Sequence, residues 1–285
     1  MWTLSPYRHG AFLPTAAVNI RNPCEGALSS MKTFAAESEE QLSPAASARP
    51  TDSCTEAKTV GPKLLPFIKF SLLYFILRPE PSWFAVAIKC LPILCLCGFV
   101  INEIRLLYKR GLSVIPRYHL AILTGLVLSC IGDGCLVYVN QYFIHGLLFF
   151  ALAHIMYICA FGTRPIKGNL FVPFLLIGAY AYGFMYPGFA AYELTFLGGL
   201  YIGLIAIMAW RALARLQFFE NLWTWTKLAA CIGAILFCIS DFVLATNMFR
   251  SAIPSSQSIV MTTYYTAQMG IALSVVSHSG DKKEK

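Results

Sequence analysis

Asp133 and Asp241 carry carboxyl groups into otherwise apolar segments, within nearly the same local sequence: Cys-Ile-Gly-Asp-x-x-Leu at 130–136 and Cys-Ile-Ser-Asp-x-x-Leu at 238–244. A carboxylate at the centre of a membrane helix costs at least about 2.5 kcal/mol on insertion scales, so an acid in that position marks a functional site by default. Two acids facing one cavity can divide the work, one keeping its proton and the other staying ionised to orient water. The structural alternative is a pair of hydrogen-bonding acids that only hold helices together.

Other polar residues fall at comparable depth. Lys89 lies about six residues into an apolar segment that also contains Pro92, which lacks the N–H that would pair with the Ile88 carbonyl. The lysine is either a counter-ion for an aspartate or a side chain that snorkels to the interface. Phe143, Leu147, Phe150, His154 and Tyr157 recur at helical spacing, which puts His154 on an aromatic stripe. Its imidazole can move protons or hold an aspartate, or simply satisfy a neighbouring carbonyl. Tyr264, Tyr265 and Gln268 share one side of the last apolar segment, and an amide in mid-span needs a partner.

The elements that must position these residues are membrane helices. The chain is 57% apolar and 13% charged, with a mean hydropathy of +0.63, far from the balance of an ordinary soluble domain. Hydropathy gives eight candidate spans at 61–77, 83–101, 118–139, 143–161, 169–187, 192–210, 225–247 and 258–277, each near the ~20 residues that cross the hydrocarbon. The fold class expected is therefore all-α, a polytopic bundle of about eight transmembrane helices. Residues 1–59 are rich in Ser, Ala, Pro and Thr and are expected to form a disordered extension. Residues 60–278 are expected to make the eight-helix transmembrane domain that holds the paired acids and any catalytic site, and 279–285 a charged cytosolic tail.

Lys and Arg cluster after the second span (Arg105, Lys109, Arg110, Arg117), the fourth (Arg164, Lys167), the sixth (Arg211, Arg215) and the eighth, whereas the opposite connections offer Arg78 and Arg250. The positive-inside rule then places both termini in the cytosol. This asymmetry belongs to loops and does not suggest a nucleic-acid partner. Aligned without gaps, residues 125–136 and 233–244 are identical at six of twelve positions, including Asp133/Asp241. The match falls on spans three and seven, which run in the same direction, as a four-plus-four parallel repeat requires. Eight cysteines lie in apolar segments with no Cys-x-x-Cys pair, and apart from His119 at the very start of the third span only His145 and His154 are available within the spans, so no metal or other cofactor is expected.

The chain resembles the lysoplasmalogenase (YhhN-like) family, in its transmembrane protein 86 branch. The residues that carry the resemblance are Gly-Pro-Lys-Leu at 61–64, Lys-Cys-Leu-Pro at 89–92, Gly132-Asp133, His145-Gly146 through His154-x-x-Tyr157, Ser240-Asp241, and Tyr264-Tyr265-x-Ala267-Gln268. The resemblance implies hydrolysis of the vinyl ether bond of lysoplasmalogens, a lysophospholipid substrate drawn from the bilayer, and residence in the endoplasmic reticulum membrane. It does not extend over residues 1–59, and homo-oligomerisation is left open. Within it Asp133 and Asp241 are expected to be the acid and base, supported by Lys89, His154, Tyr157, Tyr265 and Gln268. Paired intramembrane acids also describe a proton-coupled transporter, and a non-catalytic lipid-binding protein is the remaining alternative. An intramembrane aspartyl protease fits poorly, because the Tyr-Asp, Gly-x-Gly-Asp and Pro-Ala-Leu pattern of that class does not accompany these aspartates.

Overall fold

A computed structural model describes residues 50–111, 115–216 and 225–276. Most of the amino-terminal extension and the tail at 279–285 lie outside the described residues. The chain divides into two units, Met1–Glu56 and Ala57–Lys285. Among the described residues the secondary structure is all-helical: α1 (Pro50–Leu77), α2 (Trp83–Lys109), α3 (Arg117–Cys135), a 3-10 turn (Leu136–Tyr138), α4 (Val139–Phe161), α5 (Gly168–Ala191), α6 (Thr195–Ala214), α7 (Trp225–Phe249) and α8 (Ser256–Leu273). Among the described residues six stretches are long and apolar enough to cross a membrane, one of them the 45 residues Arg117–Phe161 that contain both α3 and α4.

That long stretch folds back on itself. Side chains placed around Gly125 come from Tyr157, those around Gly132 from Phe150, and those around Gly146 from Leu136 and Cys135. The pairs advance in opposite directions along the chain, so α3 and α4 form an antiparallel hairpin. The reversal lies in the 3-10 turn and at Tyr142, whose backbone (φ −121°, ψ 19°) leaves the helical region.

A second hairpin joins α7 and α8, and its helices approach backbone to backbone. A methyl group on Gly233 would stand 2.7 Å from the Ala267 carbonyl and 3.0 Å from the Ile271 nitrogen, and one on Gly270 would stand 2.7 Å from the Ala229 carbonyl. Small residues permit such contact where apolar burial gives helices no preference for each other over lipid. Gly233→Ala must therefore spread the hairpin and is expected to cost about 1–3 kcal/mol, the range for overpacking a fitted core. Thermal unfolding in detergent should show the loss, while Gly203→Ala, with open space at the site, should leave the midpoint unchanged.

The buried core runs along the bundle axis through Ile93, Leu96, Ile122, Leu126, Phe237 and Ile271. At the end of the bundle holding the α2–α3 connection, Lys63 Nζ meets Glu103 Oε1 at 2.6 Å. At that same end Arg211 ties α6 to the α4–α5 connection, donating to the Gly162 carbonyl at 2.6 Å and the Pro165 carbonyl at 2.9 Å. α2 packs against α3 and α8, and α6 against α4, α5 and α7. This arrangement brings α3 and α7 to the walls of one cavity.

Candidate active site

Asp133 and Asp241 each lie sixteen residues after the first residue of their helices, Arg117 and Trp225. At about 1.5 Å per residue the two carboxyls sit some 24 Å along. Both line a cavity of about 770 Å³ whose walls come from all eight helices and are overwhelmingly apolar. This is the size and character of a small-molecule site, with a few convergent polar groups to orient the ligand.

Each aspartate is held by its own partners. Asp133 Oδ2 accepts from the Tyr264 hydroxyl at 2.5 Å, and its Oδ1 lies 3.5 Å from Lys89 Nζ. Asp241 Oδ2 accepts from the Tyr201 hydroxyl at 2.5 Å, and His154 Nε2 is 3.1 Å from the Tyr201 oxygen and 3.6 Å from Asp241 Oδ2. Because Tyr201 donates its proton to the carboxyl, its oxygen is an acceptor, which suits the histidine tautomer protonated at Nε2. A continuous donor chain therefore runs from His154 through Tyr201 to Asp241. The environments differ in access: the Asp133 side chain is 2% exposed and that of Asp241 17%.

The structure brings Lys89, Asp133 and Asp241 together on the cavity wall. His154 is fully buried behind Tyr201, with its other face against Phe237. Tyr157 donates to Gln268 Oε1 at 2.8 Å, and both are fully buried one turn below Tyr264 without reaching the cavity lining. Tyr265 bonds to the Lys89 backbone carbonyl at 2.9 Å and so fixes the helix that presents the lysine. These three stand behind the site. The residue that sequence reasoning passed over is Tyr201, the direct partner of Asp241. Its signal was a hydroxyl between Gly199 and Gly203, a stretch that otherwise reads only as a small-residue packing surface. Among the described residues no three His, Cys, Asp or Glu side chains are grouped so as to hold a metal ion.

Both aspartates and their partners fall inside residues 84–275, which match the model of the YhhN family. The chain belongs to the YhhN family. Among curated relatives, this YhhN protein is 41% identical over 228 residues to the lysoplasmalogenase TMEM86A of Bos taurus, covering 78% of the chain and 92% of that protein. The Homo sapiens TMEM86A lysoplasmalogenase gives the same identity and coverage. The lysoplasmalogenase TMEM86B of Sus scrofa is 35% identical over 222 residues, covering 76% of the chain and 87% of that protein. No solved structure matches the chain significantly.

Proposed function

We propose that this chain is a lysoplasmalogenase, a multi-pass membrane hydrolase that cleaves the vinyl ether bond of lysoplasmenylethanolamine or lysoplasmenylcholine. The products are a fatty aldehyde and glycerophosphoethanolamine or glycerophosphocholine. The observation that carries this reading is one apolar cavity with two carboxyls on its wall, each held by a tyrosine but only Asp133 facing a lysine. Kinship to proteins named lysoplasmalogenases supports it.

Vinyl ether hydrolysis begins with transfer of a proton to the alkenyl carbon remote from oxygen, which leaves an oxocarbenium ion at the carbon bonded to oxygen. Water adds there and gives up a proton, and the resulting hemiacetal collapses to aldehyde and glycerol hydroxyl. Asp241 fits the acid. Tyr201 occupies one of its oxygens, the other is free to carry the proton, and the carboxyl has the greater access to the cavity. Asp133 fits the base. Lys89 Nζ lies 3.5 Å from its Oδ1, a counter-ion for the carboxylate that would orient and deprotonate water. The apolar walls accommodate the hydrocarbon chain. Ile177 and Tyr180 on α5 line the cavity and yet are 64% and 73% exposed, so the mouth opens on an apolar flank where a membrane lipid can enter.

The same reading takes all eight helices as membrane crossings, with both termini cytosolic and the protein in the endoplasmic reticulum membrane. It also takes α1–α4 and α5–α8 as parallel repeats. Support comes from the helix neighbours: α2 packs on α8 as α6 packs on α4, and the α3–α4 hairpin corresponds to the α7–α8 hairpin. Asp133 on α3 is met from α2 and α8, and Asp241 on α7 from α6 and α4. These are equivalent positions under such a repeat.

The test is mass spectrometry of purified protein given a lysoplasmalogen and its alkyl-ether analogue. Aldehyde is expected from the vinyl ether alone, because a saturated ether has no alkene to protonate. Cleavage of both ethers, or of neither, would overturn the assignment.

A further inference from the structure

A second cavity, of about 330 Å³, adjoins the first and has a different character. It is formed where the α1–α2 connection meets the end of α3 and the start of α8, and Arg78, Glu80, Tyr74, Lys89 and Gln257 line it. Tyr74, Lys89 and Gln257 also line the larger cavity, so the two spaces share a seam, and the lysine paired with Asp133 stands on it.

The charges in the smaller cavity are arranged in an unusual way. Arg78 and Glu80 are two residues apart and opposite in sign, yet among the described residues neither takes part in an ion pair. Both residues are exposed; Arg78 is held through one guanidinium nitrogen and its amide, and Glu80 through its backbone carbonyl, which leaves its carboxylate open to the cavity. One guanidinium nitrogen of Arg78 donates to Ser258 Oγ at 3.1 Å, and the Arg78 amide to the Tyr74 carbonyl at 3.0 Å. The Glu80 carbonyl accepts from Ser82 Oγ at 3.0 Å, the same hydroxyl that caps α2 by accepting from the Ala85 amide. Gln257 is held by the Tyr74 hydroxyl at 3.0 Å.

The backbone at Arg78 closes α1: its φ of +38° lies in the left-handed region common just after a helix, and its amide donates to the Tyr74 carbonyl at 3.0 Å. Glycine is the unstrained residue at such a position.

We propose that this polar cavity is the head-group subsite for a zwitterionic lysophospholipid, in which Arg78 binds the phosphodiester and Glu80 the ammonium of ethanolamine or choline. A planar guanidinium matches phosphate oxygens, and a carboxylate complements a cationic amine. The geometry orders the whole substrate. The head group sits between Arg78 and Glu80, the glycerol passes Lys89 at the seam, the vinyl ether reaches Asp133 and Asp241, and the chain fills the apolar cavity. This subsite rests on the lysoplasmalogenase reading for its ligand, but it can be tested without turnover.

The probes are two non-cleavable alkyl-ether lysolipids of equal chain length, one with phosphoethanolamine and one with phosphate alone, and the full-length protein in nanodiscs is titrated with each. Arg78→Gly, which suits the local backbone and so preserves the fold, is expected to weaken both probes about tenfold or more, with Arg78→Lys recovering part of the loss. Glu80→Gln is expected to weaken only the phosphoethanolamine probe, so that the preference of wild type for it disappears. A thermal midpoint for Arg78→Gly at or above that of wild type separates lost binding from lost folding. Unchanged affinities in Arg78→Gly, or equal weakening of both probes in Glu80→Gln, would overturn the subsite. Absence of aldehyde release by wild type would overturn the activity instead, since affinity ratios alone decide the subsite.

Discussion

Asp241→Asn is expected to lower kcat for aldehyde release by about 10²–10⁴-fold, the range for loss of a positioned general acid. The amide has nearly the shape of the acid, and its oxygen can still accept from Tyr201, so the local structure has little reason to change. What disappears is the proton that must reach the alkenyl carbon, and among the described residues no other acid on the cavity wall has comparable access. In D2O the wild type is expected to place one deuterium on the carbon next to the trapped aldehyde and to show a solvent isotope effect on kcat, because protonation of carbon is slow. Tyr201→Phe should cost less, on the order of tenfold, since it removes one bond from the acid without removing the acid. An Asp241→Asn enzyme within twofold of wild type would assign the acid elsewhere, with Asp133 the next candidate.

The paired aspartates were legible because hydropathy makes charge conspicuous: an acid among Ile, Leu and Cys stands out whatever the helices do later. The helix limits were legible for a similar reason, with Arg117 and Trp225 opening the two aspartate helices close to where the apolar runs begin. The α3–α4 reversal was legible as the gap between the spans at 118–139 and 143–161, although residues 136–142 contain no proline, glycine or charge. Hydropathy does not show the close packing at Gly125, Gly132 and Gly146 that holds the hairpin and connects residues up to 32 positions apart. Tyr201 was not singled out because a tyrosine gains its role only from what faces it, and hydropathy does not say that α6 lies beside α4 and α7. Tyr157, Tyr265 and Gln268 show the converse. Their polarity in mid-span was plain, but whether each reaches the cavity or buttresses it depended on rotation of α4 and α8. The Ser, Thr and Gln residues that hold α8 below the hydropathy of the six membrane-long stretches include those that serve the two cavities.

Lys89→Met is the variant expected to combine a large catalytic loss with a large structural one. Asp133 is 2% exposed and its Oδ1 faces the lysine, so removing the ammonium leaves a buried carboxylate with the Tyr264 hydroxyl as its remaining close partner. Breaking a buried ion pair on one side costs about 3–5 kcal/mol when the charge persists, and the carboxyl can escape that cost only by taking a proton. Protonation would itself remove the base. Activity should therefore fall about 10²-fold or more, the effect of deleting a general base. The double variant Lys89→Met/Asp133→Asn separates the two effects, because it leaves neither charge behind. Its thermal midpoint is expected to recover most of the loss seen in Lys89→Met, while its kcat should be no lower than that of Asp133→Asn alone. Such non-additivity identifies the residues as one catalytic unit. Losses that simply add in both stability and kcat would mean that Lys89 and Asp133 act separately, and that the 3.5 Å approach between them has no part in preparing the base.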